Sequence, residues 1–485
     1  MNKCTLFSLL MACATLPATA QNEVDALRYS QSTFGGTART LGMGGAFGAL
    51  GGDISSMYIN PAGIAVFRKS EFTFTPAFHQ YQSTSVFNGT PAFDGKSNFN
   101  FSNAGIVFTN RDENKNYGWI STHFGLAYHR VDNYHRAVDA AGVNAKNSLL
   151  DTFLENANAN GGMTPEELAD NYPGSAYLAY YTYLIDTLPG DPYHYYSQIP
   201  YAGVMQRRTV ESKGSNSETL LSFGANYENR LYVGASIGFA HVRYREIFSY
   251  SESDYKDTIP AFTRFEIGQD LQTDGQGINA KVGVIARPHD AIRVGLSYQS
   301  PTWFGMNDEY FYSLSAVYDN GFSPDTSLGG LFNYNLKTPS RTTASMAFII
   351  GKAGLVSADY EMVNYGRAKL SSDPYPFDDE NGHIASKHTQ AANLRVGTEW
   401  RLNPFRFRAG YAHYGNPFSN QVNNDGSRES MTLGAGYRGD GYYVDVAYVY
   451  TQSSPNIFFY DPTLVDPASQ HLRSHIIAVT VGFRY

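Results

Sequence analysis

The sequence predicts an all-β protein, a transmembrane antiparallel β-barrel of about fourteen strands with an N-terminal hatch, or plug, held inside it. Three observations lead there. From residue 70 onward apolar and polar residues alternate with period two. The alternating runs are long, about ten residues or more, against the ~5–6 usual in soluble sheets. The connections between them alternate short and long, as they do in outer-membrane barrels.

Composition sets the limits. Tyr (37) and Phe (31) make up most of an aromatic fraction of 15%, and only 16% of the 485 residues are charged. Mean hydropathy is nevertheless −0.34, and after the N-terminus no stretch approaches the ~20 apolar residues of a spanning helix. A barrel accounts for both facts, because only every second strand residue faces lipid. The net charge of −8, with no basic run to offset it, excludes nucleic acid as an expected partner.

Residues 1–20 read as a signal peptide: Lys3 supplies the positive n-region, Leu6 to Ala14 the apolar core, and Ala18-Thr19-Ala20 an A-x-A cleavage site. Both cysteines, Cys4 and Cys13, lie in it, so cleavage after Ala20 leaves a mature chain without disulfides. Leu10-Met11-Ala12-Cys13 offers a lipoprotein box as the alternative. Residues 21–69 are assigned to the hatch and 70–485 to the barrel.

Within the barrel the alternation is explicit. Leu394, Val396, Thr398, Trp400 and Leu402 share one strand face, and Arg395, Gly397, Glu399 and Arg401 the other. Tyr442, Val444, Val446, Tyr448 and Tyr450 alternate likewise, as do Ile292, Val294, Leu296 and Tyr298. Tight turns are expected at 110–116, 228–230, 287–290, 351–354, 402–404 and 438–441. Long connections are expected at 83–96, 132–215, 251–271, 301–335, 367–387, 415–428 and 451–472. Alternating six short with seven long connections requires about fourteen strands and puts both termini on the short-turn, periplasmic side. In hydrocarbon every backbone N–H and C=O needs an internal partner, which a sheet achieves only by closing on itself. Ile477, Val479, Val481, Phe483 and Tyr485 run in phase to the end of the sequence. That resembles the C-terminal signal by which outer-membrane barrels engage the barrel assembly machinery.

The connection at 132–215 is too long for a plain loop. Leu149, Leu150, Phe153 and Leu154 cluster as on a helical face, and Thr164-Pro165-Glu166-Glu167 supplies an N-cap, a Pro at N1 and an acidic first turn. A Tyr-rich stretch at 172–201 follows. The insertion is expected to be a packed extracellular lid, an apolar landing surface for a ligand, or both.

Glycines 42, 44, 45, 48, 51 and 52 precede Asn60-Pro61. A dinucleotide fingerprint from Gly42 fails at Phe47. Pro61 drives Asn60 out of the helical region, so Asn60 can cap a short helix with Pro61 at its first position. The segment therefore reads as a compact coil followed by a capped turn.

Leu41-Gly42-Met43-Gly44-Gly45-Ala46-Phe47, with Asn60-Pro61-Ala62-Gly63-Ile64-Ala65, resembles the N-terminal hatch of the FadL/TodX family. Val294-Gly295-Leu296-Ser297-Tyr298-Gln299-Ser300-Pro301 and Leu394-Arg395-Val396-Gly397-Thr398-Glu399-Trp400 resemble that family's barrel strands. The likeness spans the mature chain, and the composition and leader suit a Bacteroidetes-type member. It implies a fourteen-stranded outer-membrane barrel for passive uptake of hydrophobic molecules, long-chain fatty acids or aromatic hydrocarbons. It also implies that Asn60, Pro61, Ala62 and Gly63 anchor a hatch that shifts to release the ligand. The alternative for Asn60-Pro61 is a purely structural turn. The 132–215 insertion departs from the family and matches none of its ligand-binding loops.

Arg395, Glu399, Arg401, Arg406 and Arg408 are expected to form a charge network on the lumen wall, since buried charges need partners. An arginine left partly free could hold a ligand carboxylate. Outer-membrane lipids and a hydrophobic small molecule are the expected partners of a monomer. No cofactor, metal or catalytic residue is expected. Gly234-Ala235-Ser236-Ile237-Gly238 matches a nucleophile elbow but lies in an alternating strand, and Arg438-Gly439-Asp440 lies in an expected periplasmic turn. The alternatives are a haemin-binding or adhesive surface barrel, using a loop histidine such as His194 or His471, and a lipid-modifying enzyme of the outer membrane.

Overall fold

Period-two alternation becomes fourteen consecutive staves in the computed structural model. It describes residues 23–112, 115, 117–197, 199, 203–373 and 375–485, so the expected leader and its two cysteines lie outside the described residues. The staves are β1 (Glu71–Phe87), β2 (Thr90–Arg111), β3 (Trp119–Asn133), β4 (Val204–Tyr227), β5 (Leu231–Ser253), β6 (Phe262–His289) and β7 (Ile292–Gln299). They continue with β8 (Arg341–Ile350), β9 (Gly354–Asn364), β10 (Gln390–Leu402), β11 (Phe405–Tyr414), β12 (Arg428–Arg438), β13 (Tyr442–Ser453) and β14 (Ala468–Arg484). Each pairs antiparallel with the next, and β14 returns to β1 in the register Glu71↔Arg484 to Val86↔Ser469. The ring leaves no open edge, as hydrocarbon requires.

The outer face is apolar. Phe74, Phe124, Phe223, Ile237, Val282, Leu296, Phe348, Leu394, Leu433 and Ile477 are all exposed, from strands all round the ring. Arg395, Glu399, Arg408, Asp445, Glu361, Asp359 and Thr480 are buried on the inner face. A water-soluble protein would not expose a continuous apolar band of this extent. With closure it makes the chain an outer-membrane β-barrel.

Several of the expected long connections contain strand. Residues 83–96 are a hairpin whose ladder runs Ser83↔Asp94 to Phe87↔Thr90, turning at Asn88-Gly89. The 132–215 connection is shortened from both ends, because Arg136–Asn144 continues β3 along the upper half of β4. Trp303–Tyr318 and Asp325–Lys337 prolong β7 and β8 as a hairpin against β6, where 301–335 was expected to be one long connection. The 367–387 connection holds the helix Asp378–Lys387. Above the bilayer both faces of such extensions meet water or other loops, so the hydrophobic alternation fades while the backbone ladder continues.

What remains of the insertion folds over the extracellular end. Helix α1 (Leu149–Ala157) starts at Ser148 and α2 (Pro165–Asn171) at Thr164, each closed by a capping box. Helix α3 (Ala176–Tyr181) and a small hairpin, Ile185–Leu188 with Asp191–Ser197, follow. Leu150, Phe153, Leu168 and Leu178 pack with Phe87, Tyr250, Phe265 and Phe459, one apolar core under the lid.

Candidate functional site: the N-terminal segment, its seat and the cavity above it

Residues before β1 form four short helical pieces: Glu23–Ser30, Ala38–Gly42, Ser56–Ile59 and a 3-10 turn at Pro61–Val66. Their polar groups bond to walls all round the ring. Ala38 N donates to Thr480 Oγ1 on β14 (2.7 Å) and Phe47 N to Asp359 Oδ2 on β9 (2.9 Å). Thr432 Oγ1 on β12 donates to Gly42 O (3.0 Å), Ser297 Oγ on β7 to Ile59 O (2.9 Å) and Ser236 Oγ on β5 to Met57 O (3.1 Å). A segment held by five separate staves at once lies in the bore.

Asn60 has extended backbone (φ −150°), as expected of a residue preceding proline. Its Oδ1 accepts from Ala62 N (3.1 Å), capping the turn that begins at Pro61, while Nδ2 donates to Gly48 O (2.7 Å) and Val284 O (3.3 Å). Gly63 N bonds Asn60 O, and Gly63 O accepts from Gly52 N, both at 2.9 Å. Ala62 and Pro61 are buried. One side chain thus joins the turn, the preceding coil and β6. The wall is cut to fit: a Cβ on Gly283 would overlap Asn60 Oδ1, and one on Gly234 would overlap Pro61 O. Gly234 belongs to the nucleophile-elbow lookalike, which is continuous strand β5 with Ser236 bound to Met57 O. Gly283→Val is expected to unseat the segment while the strands still pair. The check is faster passage of a chromogenic β-lactam through the outer membrane, with heat-modifiable mobility of the barrel unchanged.

Four of the five charged residues singled out in sequence divide into two groups. In the lower group Glu399 accepts from Arg408 Nε and Arg39 Nε (both 2.9 Å) and Arg401 Nε (3.3 Å). Asp445 accepts from Arg408 Nη1 (2.8 Å) and Arg438 Nη1 (2.9 Å). Arg395 belongs to a separate group, donating to Glu361 at 2.9 Å, a carboxylate shared with Arg341 at 3.2 Å. Arg406 joins neither, since its Nη1 donates to Phe405 O (2.7 Å). Arg39, which links the N-terminal segment to the wall, carried no sequence signal, because its partner lies 360 residues away. A second buried pair that sequence reasoning missed is Lys281–Glu218. Lys281 lies 5.0 Å from the Tyr58 ring, and Tyr58 stacks on His129 at 4.2 Å.

Above the segment a cavity of about 130 Å³ opens toward the extracellular side. Phe34, Leu41, Val449, Leu472 and Ile476 supply apolar wall, and Arg130, Arg136, Arg428 and Arg473 supply cations. Arg136 faces Asp132 at 3.7 Å. Arg130 donates instead to Phe101 O (3.1 Å), and Arg428 lies 4.9 Å over the Tyr414 ring. Among the described residues neither Arg130, Arg428 nor Arg473 has a carboxylate partner. Thr33, Phe34 and Gly35 form the floor and also roof a smaller space of about 30 Å³ lined by Tyr58, Lys281, Arg341 and Arg395. Phe34 is fixed there by its N–H to Tyr414 Oη (2.7 Å). His194 pairs with Asp191 in the lid hairpin and His471 contacts Ser454 at 3.2 Å, so neither belongs to the cavity. Among the described residues no cluster of His, Cys, Asp and Glu suits a metal.

No protein-family model and no curated protein matches the chain. Solved structures do. A Pseudomonas aeruginosa FadL homologue matches over 94% of this chain and 99% of its own, at 12% identity and a TM-score of 0.58. The P. putida toluene transporter TodX matches over 94% and 99%, at 13% identity and 0.54. The CymD monoaromatic hydrocarbon channel matches over 93% and 98%, at 14% identity and 0.51. Along nearly its whole length the chain therefore has the fold of the FadL/TodX transporters, whose hatch its Asn60-Pro61-Ala62 element resembles.

Proposed function

We propose that this protein is a hatch-gated channel of the outer membrane for passive uptake of hydrophobic molecules, with long-chain fatty acids or similar amphiphilic acids as its cargo. The observation that carries the reading is the cavity above the N-terminal segment, where apolar wall and arginines without carboxylate partners stand together. An alkyl chain suits Phe34, Leu41, Val449 and Ile476, and a carboxylate suits Arg428 and Arg473 through charge-assisted hydrogen bonds. The fold shared with a FadL homologue and with hydrocarbon channels supports transport rather than catalysis. In this reading Asn60, Pro61, Ala62 and Gly63 are the anchored end of the hatch, and the floor Thr33–Phe34–Gly35 is the part a ligand displaces. A ligand shifts the hatch only by binding its two states unequally.

The test is uptake of a labelled long-chain fatty acid by cells with and without the gene. Deletion is expected to slow uptake, and Arg428→Gln with Arg473→Gln to reduce it about tenfold or more, the value of a hydrogen bond to a charged group. Toluene uptake by the double variant should be unchanged. Fatty-acid uptake unaltered by deletion would reject the proposal.

A further inference from the structure

The inner face carries a second place where cations exceed acids, at the opposite end of the bore. Arg401 is the last residue but one of β10, Arg406 the second of β11 and Arg438 the last of β12, all beside the short turns at the periplasmic end. Register sets Arg401 directly opposite Arg406. Like charges in that position repel, so sheets avoid the pairing unless something compensates. The local acids do not. Glu399 and Asp445 lie one layer deeper, and Glu399 is shared by Arg39, Arg401 and Arg408, Asp445 by Arg408 and Arg438. With Asp53, which lies within Coulombic reach of Arg39, three carboxylates thus face five guanidinium groups once Arg406 is included. Asp440, in the turn after Arg438, makes no ion pair among the described residues. Arg293, on another stave, adds positive potential within Coulombic reach of Arg39 and Arg401. Arg401 is 32% exposed and Arg438 16%, so the group can be reached from the periplasm without being fully solvated.

We propose that Arg401, Arg406 and Arg438 form an anion-binding site at the periplasmic mouth of the bore, one that takes a carboxylate. It rests on the transport reading only for its cargo, since a carboxylate leaving the hatch would pass this point. The unshared anion between Arg401 and Arg406 removes their repulsion, and the same anion competes with Glu399 for Arg401 beside the Arg39 link to the hatch.

The test is calorimetric titration of the full chain in non-ionic detergent with sodium octanoate, using octanol as the uncharged control. Wild type is expected to show two carboxylate-dependent binding events, one displaced by inorganic phosphate. Arg406→Gln removes no ion pair and so preserves the fold; it should weaken the phosphate-sensitive event about tenfold or more, and Arg406→Lys should restore much of it. Arg428→Gln with Arg473→Gln should abolish only the other event. The proposal is overturned if Arg406→Gln binds octanoate and phosphate as wild type does, or if sodium chloride displaces octanoate as well as phosphate does, which is simple screening. A wild type that shows the mouth event but no cavity event would count against the cargo reading alone.

Discussion

Replacing Glu399 by glutamine is expected to weaken the seat of the N-terminal segment by about 3–5 kcal/mol, the usual cost of removing one partner from a buried ion pair. The carboxylate is almost fully buried and receives Arg39, Arg401 and Arg408. Arg408 keeps Asp445, but Arg39 and Arg401 lose the one carboxylate with which each forms an ion pair among the described residues. Arg39→Met should cost less, because Glu399 would retain two cations. Hydrogen exchange of the amides in 38–66 reads the effect directly, and heat-modifiable mobility reports whether the barrel itself stays closed. Protection in Glu399→Gln equal to wild type would show that this ion pair does not hold the segment.

The second large effect is expected from Asn60→Ala. Three hydrogen bonds go at once, leaving Ala62 N and Gly48 O buried without these partners and untying the turn from Val284 O in the β6 ladder. A single unsatisfied buried group costs about 1–3 kcal/mol, so the seat should lose several. Asn60→Asp keeps the cap on Ala62 but loses the donor and buries a charge, so it should not rescue. If Asn60 is part of the gate, uptake of fatty acid changes in step with the loss of protection over 43–66. If it serves only as a turn, exchange rises locally while uptake keeps its wild-type rate.

The lower charge group also shows where sequence reasoning stopped. Arg395, Glu399, Arg401 and Arg408 are recognisable as inward-facing from alternation alone. Their partners are not: Glu361, Asp445 and Arg39 come from other staves or from the N-terminal segment, and only the tertiary arrangement brings them together. Arg406 has the same spacing as its neighbours and still lacks an acid, because Gly436 stands opposite it on β12. The extracellular hairpins lack a sequence signal for a related reason. Their backbone ladder persists where neither face is lipid, and hydropathy carries no record of it. Ser148 and Thr164, by contrast, were legible as helix starts because capping is local.

By itself the sequence determined the closed barrel, its number of staves, the capped turn at Asn60-Pro61 and the two helix starts of the lid. Each depends on residues within a few positions of one another, through period-two exposure to lipid or a side chain bonding its own backbone. Only the tertiary structure decided which charges meet, which glycines admit the N-terminal segment, and where cations outnumber acids. Those depend on how far each stave slides along the next before β14 closes on β1, a displacement fixed by the whole ring and by no segment of it.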